Sequence, residues 1–192
     1  MKFIANKGAP NIPLAIIEAQ ESETLIFFCG AGISYPAGLP SFSGLVKGVY
    51  EGLGEQRKDL EDEAFKNKFY DRALGLLEAR ILGNRNPLVN PVRREIIKQL
   101  TLAENADLQT HQAILQLSKT TKQRYRLVTT NVDHGFLKAN LQELGGIDAA
   151  PKLRFPKPYK WESIVHLHGI IDQKNDPNGS DMVFFILIVK SY

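Results

Sequence analysis

The sequence predicts an α/β fold of the Rossmann type, in which a mostly parallel sheet has helices on both faces. Short, largely apolar runs at residues 24–29, 126–130 and 163–167 have the length and composition of buried strands. Helical patterns separate these runs, and strands that alternate with helices are typical of a parallel sheet. Because 192 residues with 43% hydrophobic content suit one globular core, we expect a single domain over residues 1–192.

The first predicted strand follows a predicted helix at residues 13–23 and ends in the glycine-rich segment GAGIS at residues 30–34. Glycines let backbone N–H groups approach a pyrophosphate closely, and the start of a helix favours an anion. The spacing is not the Gly-x-Gly-x-x-Gly of dehydrogenases. A tight turn between strand and helix, without any ligand, is the alternative.

A helical insertion is predicted over residues 45–107, where charged residues become frequent. Apolar residues recur at steps of four over residues 65–77, which predicts one helix that ends at Gly83. Asn90 and Pro91 have the residue types of a helix N-cap and a first helical position. The next helix is therefore expected to begin there.

Polar side chains follow the second and third predicted strands, at the edge where open α/β sheets bind ligands. Asn131 and Asp133 could hydrogen-bond ribose hydroxyls and a carboxamide, or could cap the following helix. His166 and His168, two residues apart, are expected to share one face of the third strand. Because histidine exchanges protons near neutral pH, His168 is a candidate general base, whereas we expect His166 in the core.

The amino-acid composition indicates which classes of binding partner and which cellular location to expect. A net charge of +3 is too small to require nucleic acid or an anionic membrane. The single cysteine, Cys29, can form neither an internal disulfide nor a cysteine-based zinc cage, which fits a reducing cytoplasm. The amino terminus lacks the apolar stretch of a signal peptide, and the longest apolar run, residues 182–189, is short of the ~20 residues that span a bilayer. We expect a cytoplasmic location, no membrane span, and one more strand at residues 182–189.

Basic and aromatic residues alternate over residues 152–161, a pattern that could bind single-stranded nucleic acid. Prolines interrupt the same stretch, and a proline-broken surface loop explains it more simply. Nucleic acid is therefore not an expected partner.

Taken together, these elements resemble the sirtuin family. The family's hallmarks occur here in the family's order: GAGIS at residues 30–34, TTNVD at residues 129–133 and His-Gly at residues 168–169. The segment GLPSFSG at residues 38–44 looks like the family's Gly-Ile-Pro-Asp-Phe-Arg segment. THQAIL at residues 110–115 looks like the short helix that precedes the Asn-x-Asp strand. The resemblance spans residues 25–169.

The resemblance implies that the chain binds NAD as its substrate and cleaves the bond between nicotinamide and ribose. Asn131 would hold the nicotinamide ribose, and Asp133 would engage the carboxamide. His168 would be the catalytic base that deprotonates a ribose hydroxyl or a water. The set implied for NAD binding comprises Gly30, Ala31, Gly32, Ser34, Pro40, Phe42, Thr130, Asn131 and Asp133.

The chain also departs from deacylating sirtuins, which carry two Cys-x-x-Cys pairs after the His-Gly element. Its single cysteine, Cys29, precedes that element, so no zinc module is expected. That module helps to form the acyl-lysine cleft, and its absence disfavours protein deacylation. Ser41 and Ser43 stand in place of the family's Asp and Arg, and Thr130 in place of a Gln. The pattern looks closer to the zinc-free sirtuin-like domains of bacterial defence proteins, which hydrolyse NAD.

These observations favour an NAD glycohydrolase that produces nicotinamide and ADP-ribose, with a role in anti-phage defence implied by the resemblance. An NAD-dependent protein deacylase is the second reading. An inactive fragment or a nucleotide-binding interaction domain is the third. Few residues follow Gly169, whereas the family needs further strands, so we expect a chain truncated at the C-terminus. Further domains or subunits would then complete the adenine end of the site.

Overall fold

A four-stranded, all-parallel sheet flanked by helices forms the centre of the molecule, which confirms the predicted α/β class. The computed structural model describes residues 12–83, 90–140, 146–149 and 163–171. The strands are β1 (Phe27–Cys29), β2 (Leu127–Thr129), β3 (Gly146–Ala149) and β4 (Ser163–His166). They lie in the order β1-β2-β4-β3. None of the helices in the described ranges has the length and apolarity needed to cross a membrane.

Some of the helices pack on this sheet, and others form a bundle with a core of their own. They are α1 (Leu14–Glu21), α2 (Phe42–Gly52), α3 (Asp59–Lys66), α4 (Tyr70–Leu82), α5 (Pro91–Gln99), α6 (Gln109–Ser118) and α7 (Gly135–Ala139), with one 3-10 turn at Ala31–Ser34. Strand β3 was not predicted from the sequence. The predicted strand at residues 182–189 and the basic, aromatic stretch at residues 152–161 lie outside the described residues.

Helices α2 to α5, here called the helical region, confirm the predicted insertion and have their own apolar core. The single helix predicted through residues 65–77 is wrong, because the chain breaks between α3 and α4. Lys68 adopts a left-handed φ of 62° at this break, a conformation that a helix interior does not contain. The predicted start of α5 is confirmed: the side chain of Asn90 accepts the N–H of Arg93 at 3.1 Å, and Pro91 is the first helical residue.

An ion-pair network connects α3 with α4 in the helical region. Glu61 of α3 is only 3% exposed, and the Nε atom of Arg80 on α4 lies 2.6 Å from its Oε1 atom. Arg80 also reaches Glu55 at 2.7 Å. Burial by itself would raise the pKa of Glu61, but hydrogen bonds from Arg80 and from the Lys58 N–H lower it below its usual value. The network therefore ties α3 to α4 with charges that remain ionised.

The sheet has a second core, formed where α6 and α7 pack on one of its faces. Leu127 of β2 and Ile164 of β4 are fully buried there, against Leu115 of α6 and Phe136 of α7. Cys29 of β1 belongs to the same cluster. A smaller cluster of Ala37, Leu39 and Leu102 lies between the glycine-rich loop and the segment that follows α5.

Candidate functional site

Four buried polar residues meet at the carboxyl edge of the sheet, and we call them the polar cluster: Ser34, His111, Asn131 and Asp133. The hydroxyl of Ser34 is their common partner. It donates to Oδ2 of Asp133 at 2.8 Å, accepts from Nδ2 of Asn131 at 3.0 Å, and lies 3.3 Å from Nε2 of His111. These contacts join residues that are far apart in the sequence.

The parallel register of the sheet brings the cluster together. Cys29 of β1 pairs with Thr129 of β2, so the segments that leave these two strands emerge side by side. Ser34 lies in the 3-10 turn after β1, and Asn131 and Asp133 lie in the segment after β2. Carboxyl ends of parallel strands meet at one edge of the sheet, which is why the predicted residues converge there.

Of the two roles that the sequence left open for Asp133, the structure shows the contact with the following helix. Its Oδ1 atom accepts the backbone N–H of Gly135 at 2.7 Å, which supports the first residue of α7. Its Oδ2 atom accepts the hydroxyl proton of Ser34. The Asp133 residue is only 5% exposed, and its carboxylate contacts both the backbone at the start of α7 and the polar cluster.

The two histidines of the His-x-His pair occupy different environments, and the prediction that they share a strand face is wrong. Strand β4 ends at His166, so His168 lies in the turn that follows. His166 is fully buried, as expected, and its Nδ1 atom lies 2.9 Å from the backbone oxygen of Asn131. His168 is partly exposed, and its Nδ1 atom is buried without a hydrogen-bond partner in the described part of the chain.

Backbone hydrogen bonds hold the turn of His168 next to the segment of Asn131. On one side, the N–H of Leu167 donates to the oxygen of Thr129 at 2.9 Å. On the other, the N–H of Ile171 donates to the oxygen of Val132, also at 2.9 Å. Gly169 has a φ of 84° between these two anchors, a backbone conformation that favours glycine. The His-Gly pair thus makes a tight turn alongside the polar cluster.

Burial determines the protonation of two histidines around Asn131. Desolvation lowers the pKa of His111, although the nearby carboxylate of Asp133 acts in the opposite direction. Desolvation also lowers the pKa of His166, against the hydrogen bond to Asn131 and the charge of Asp133. Burial therefore favours the neutral form of both imidazoles.

The glycine-rich loop is the exposed part of the candidate site. Gly30, Ala31 and Gly32 are all exposed, and the last two open the 3-10 turn, where N–H groups have no partner within the helix. A Cβ atom on Gly30 would lie 3.8 Å from the hydroxyl of Thr130, so Thr130 adjoins the loop from the neighbouring strand end. Ser34 differs from the rest of the loop because it is only 2% exposed.

Pro40 and Phe42 lie farther along, where α2 begins. The hydroxyl of Ser41 accepts the N–H of Gly44 at 3.2 Å and caps this helix. Phe42 is 43% exposed, and its ring makes an edge contact with Tyr70 of α4 at 5.5 Å between centroids. Phe42, which the resemblance implies for NAD binding, thus belongs to the helical region, and Pro40 precedes it.

His111 is a site residue that the sequence reasoning missed. The apolar residues of its helix, Ala113, Ile114 and Leu117, do not point to it, and Leu117 is 53% exposed. The face that α6 buries instead contains His111, Leu115 and Ser118. The available signal was their spacing of four and three residues, which places His111 in line with Leu115 on one side of a helix.

Comparisons with known proteins assign no activity to this site. No protein-family model matches the chain. It is similar to the uncharacterized protein y4cA of Sinorhizobium fredii (strain NBRC 101917 / NGR234), with 32% identity over 170 residues that cover 83% of this chain. The chain spans 13% of the length of that relative. Within the described ranges, no group of three or more histidine, cysteine or acidic side chains could hold a metal ion.

Proposed function

We propose that the chain is an NAD glycohydrolase of the sirtuin type, which cleaves the nicotinamide–ribose bond with water. The observation that carries the proposal is the polar cluster at the carboxyl edge of the sheet, where Asn131 and Asp133 are fixed beside the turn of His168. A generic strand-to-helix turn would not require an amide and a carboxylate to converge on one buried hydroxyl. The exposed loop at Gly30 lies next to them, as a dinucleotide site would need.

The reaction needs little covalent chemistry from the protein. The bond from C1′ of the ribose to the nicotinamide nitrogen breaks, and its electron pair leaves with the nicotinamide, which becomes neutral. Water forms the new bond to C1′, and its proton passes to His168 and then to solvent. Because positive charge develops on the ribose as the bond breaks, groups that orient the sugar and the water supply most of the acceleration.

Several of the predicted residues then have a physical task. The loop of Gly30, Ala31 and Gly32 offers backbone N–H groups to the phosphates. Asn131 orients the nicotinamide ribose through its amide, and Thr130 adjoins the loop at the same edge. His168 is the candidate for accepting the proton because the residue is partly exposed in the turn beside Asn131.

Nicotinamide release by the purified chain tests the proposal. We expect Asn131→Ala and His168→Ala each to lower the rate at least about 100-fold, the usual scale for losing an orienting group or a general base. Asn67→Ala, on an exposed residue at the end of α3, is the matched control and should leave the rate unchanged. Equal rates in all these proteins would contradict the mechanism.

The products separate this function from its alternatives. A hydrolase yields nicotinamide and ADP-ribose without any peptide. If turnover requires an acetylated peptide and yields acetylated ADP-ribose, the chain is a deacylase instead. NAD binding without nicotinamide release would identify a nucleotide-binding domain.

A further inference from the structure

We propose that Ser34 and His111 are positioning residues that fix the orientation of the Asn131 side-chain amide. The sequence resemblance assigns Ser34 to NAD itself, whereas its contacts give it a different task. The catalytic consequence of this inference rests on the proposed function, but the orientation of the amide can be measured without any activity.

The hydrogen-bond capacity of Ser34 is filled by the protein. A serine hydroxyl donates one hydrogen bond and can accept two. Its proton goes to Asp133, a carboxylate that can only accept, at 2.8 Å. The oxygen then accepts from Asn131 at 3.0 Å and is left to accept from His111 at 3.3 Å. With 2% exposure and three partners, the hydroxyl has nothing left for a ligand.

This arrangement determines which end of the Asn131 amide faces outward. Because the Ser34 proton is committed to Asp133, Asn131 must present its NH₂ group to Ser34. The Oδ1 atom of Asn131 is the hydrogen-bond acceptor of this amide. It makes no hydrogen bond within the described residues. A ribose hydroxyl can donate to this oxygen, whereas a flipped amide would meet the sugar with a donor.

His111 provides the third contact of the Ser34 hydroxyl. Donation to Ser34 requires the neutral tautomer with the proton on Nε2, and the unpartnered Nδ1 atom is consistent with that form. The ring cannot move aside, because it is fully buried, makes an edge contact with Phe136 at 5.0 Å and packs directly against Gly135. A second buried histidine, His166, holds the backbone oxygen of Asn131 at 2.9 Å. Asn131 is therefore held at both its side chain and its backbone.

Two variants of His111 distinguish a role in orienting the Asn131 amide from a role in the stability of the fold alone. Glutamine places an N–H close to the position of Nε2, whereas leucine fills a similar volume without a donor. We expect His111→Leu to lower kcat for nicotinamide release about 10- to 100-fold with KM changed less than about 3-fold, because orientation affects the reacting geometry more than binding. His111→Gln should recover most of the lost kcat. Gln112→Leu, on the exposed face of the same helix, is the control for an added leucine.

Long-range ¹H–¹⁵N NMR of the full chain provides the readout that does not depend on catalysis. It should show His111 protonated on Nε2, and the Asn131 NH₂ resonances should shift in Ser34→Ala. A proton on Nδ1 instead would overturn the inference, as would unshifted amide resonances.

The activity and NMR outcomes distinguish the two proposals. If the wild-type chain releases no nicotinamide, the proposed function fails. The His111 tautomer measured by NMR then decides whether the positioning role holds. If the chain is active and His111→Leu matches the wild type in kcat, the positioning role fails while the hydrolase remains. If His111→Leu does not fold, Ser34→Ala in the same kinetic assay decides, and a wild-type kcat there would overturn the inference.

Discussion

The helical region and the sheet region bury polar groups in opposite ways. In the helical region, the buried carboxylate of Glu61 is paired with Arg80, and the pair remains ionised. At the carboxyl edge of the sheet, two histidines are buried in their neutral form, and each leaves one ring nitrogen without a partner within the described residues. A buried charge that has its partner avoids the large penalty of an unpaired one, whereas a buried polar group with an unsatisfied atom lowers stability. The contrast predicts that the two regions respond differently to substitution and to acid.

The largest effect on stability is expected in the core of the helical region. Leu77→Ala removes a fully buried side chain and should lower the free energy of unfolding by about 3 kcal/mol. Leu60→Ala, in the same region but 61% exposed, is the matched control and should change it by less than about 0.5 kcal/mol. Urea unfolding measures both. Similar losses for the two variants would show that this core does not carry the stability.

A pair of glycines tests the two regions with the same substitution. Gly135→Ala would force a Cβ atom to within 2.8 Å of Oδ1 of Asp133 and against the buried ring of His111, which should cost about 1–3 kcal/mol. Gly75→Ala lies in α4 with no atom within 4 Å of the new Cβ, and should stabilise the chain by about 0.5–1 kcal/mol. Thermal unfolding of both proteins would reveal the opposite signs. Two shifts of the same sign would contradict this account of the sheet edge.

Acid should lower the stability that the two regions contribute, in different pH ranges. We expect these changes in the free energy of unfolding to be smaller than those of the substitutions above. His111 and His166 have lowered pKa values in the folded chain, whereas in the unfolded chain they bind protons below the ordinary pKa of 6.5. Because the unfolded chain then binds more protons, the free energy of unfolding falls as the pH decreases. Each histidine contributes at most about 1.4 kcal/mol per pH unit. Asp133 opposes this loss at both rings. Glu61, whose pKa is lowered, stabilises the fold above its ordinary 4.5 and loses that contribution only in stronger acid.

Unfolding measured from pH 7.5 to pH 5 tests this separation. We expect stability to decline with pH in this interval and the slope to decrease in His111→Gln, which lacks one of the two imidazoles. A flat profile in the wild-type chain would show that neither histidine is protected from protons in the folded state.

The sequence was sufficient to predict strands β1, β2 and β4 and to place Asn131 and Asp133 at one edge of the sheet, because strand ends in a parallel sheet share one edge. It was insufficient for β3, whose Gly-Ile-Asp-Ala sequence has no apolar run and acquires its conformation by pairing with β4. The break at Lys68 was missed because steps of four continue through it by coincidence.

The roles of individual site residues depend on contacts that no spacing reveals. Ser34 has the same place in the sequence whether its hydroxyl faces a phosphate or Asp133, and only tertiary packing decides between them. His168 looked like a strand residue because Leu167 continues the apolar pattern, but the glycine that follows allows the chain to turn. Such positions are where local patterns and tertiary structure diverge.

The position of Cys29 has a practical consequence. It is the one cysteine in the sequence, it ends β1 immediately before the glycine-rich loop, and it is only 6% exposed. Burial raises the pKa of its thiol, so the folded chain should react slowly with alkylating reagents. The rate of thiol labelling therefore reports how often β1 opens. The natural sequence thus contains a single-site chemical probe of motion behind the loop, and no engineered label is needed to follow it.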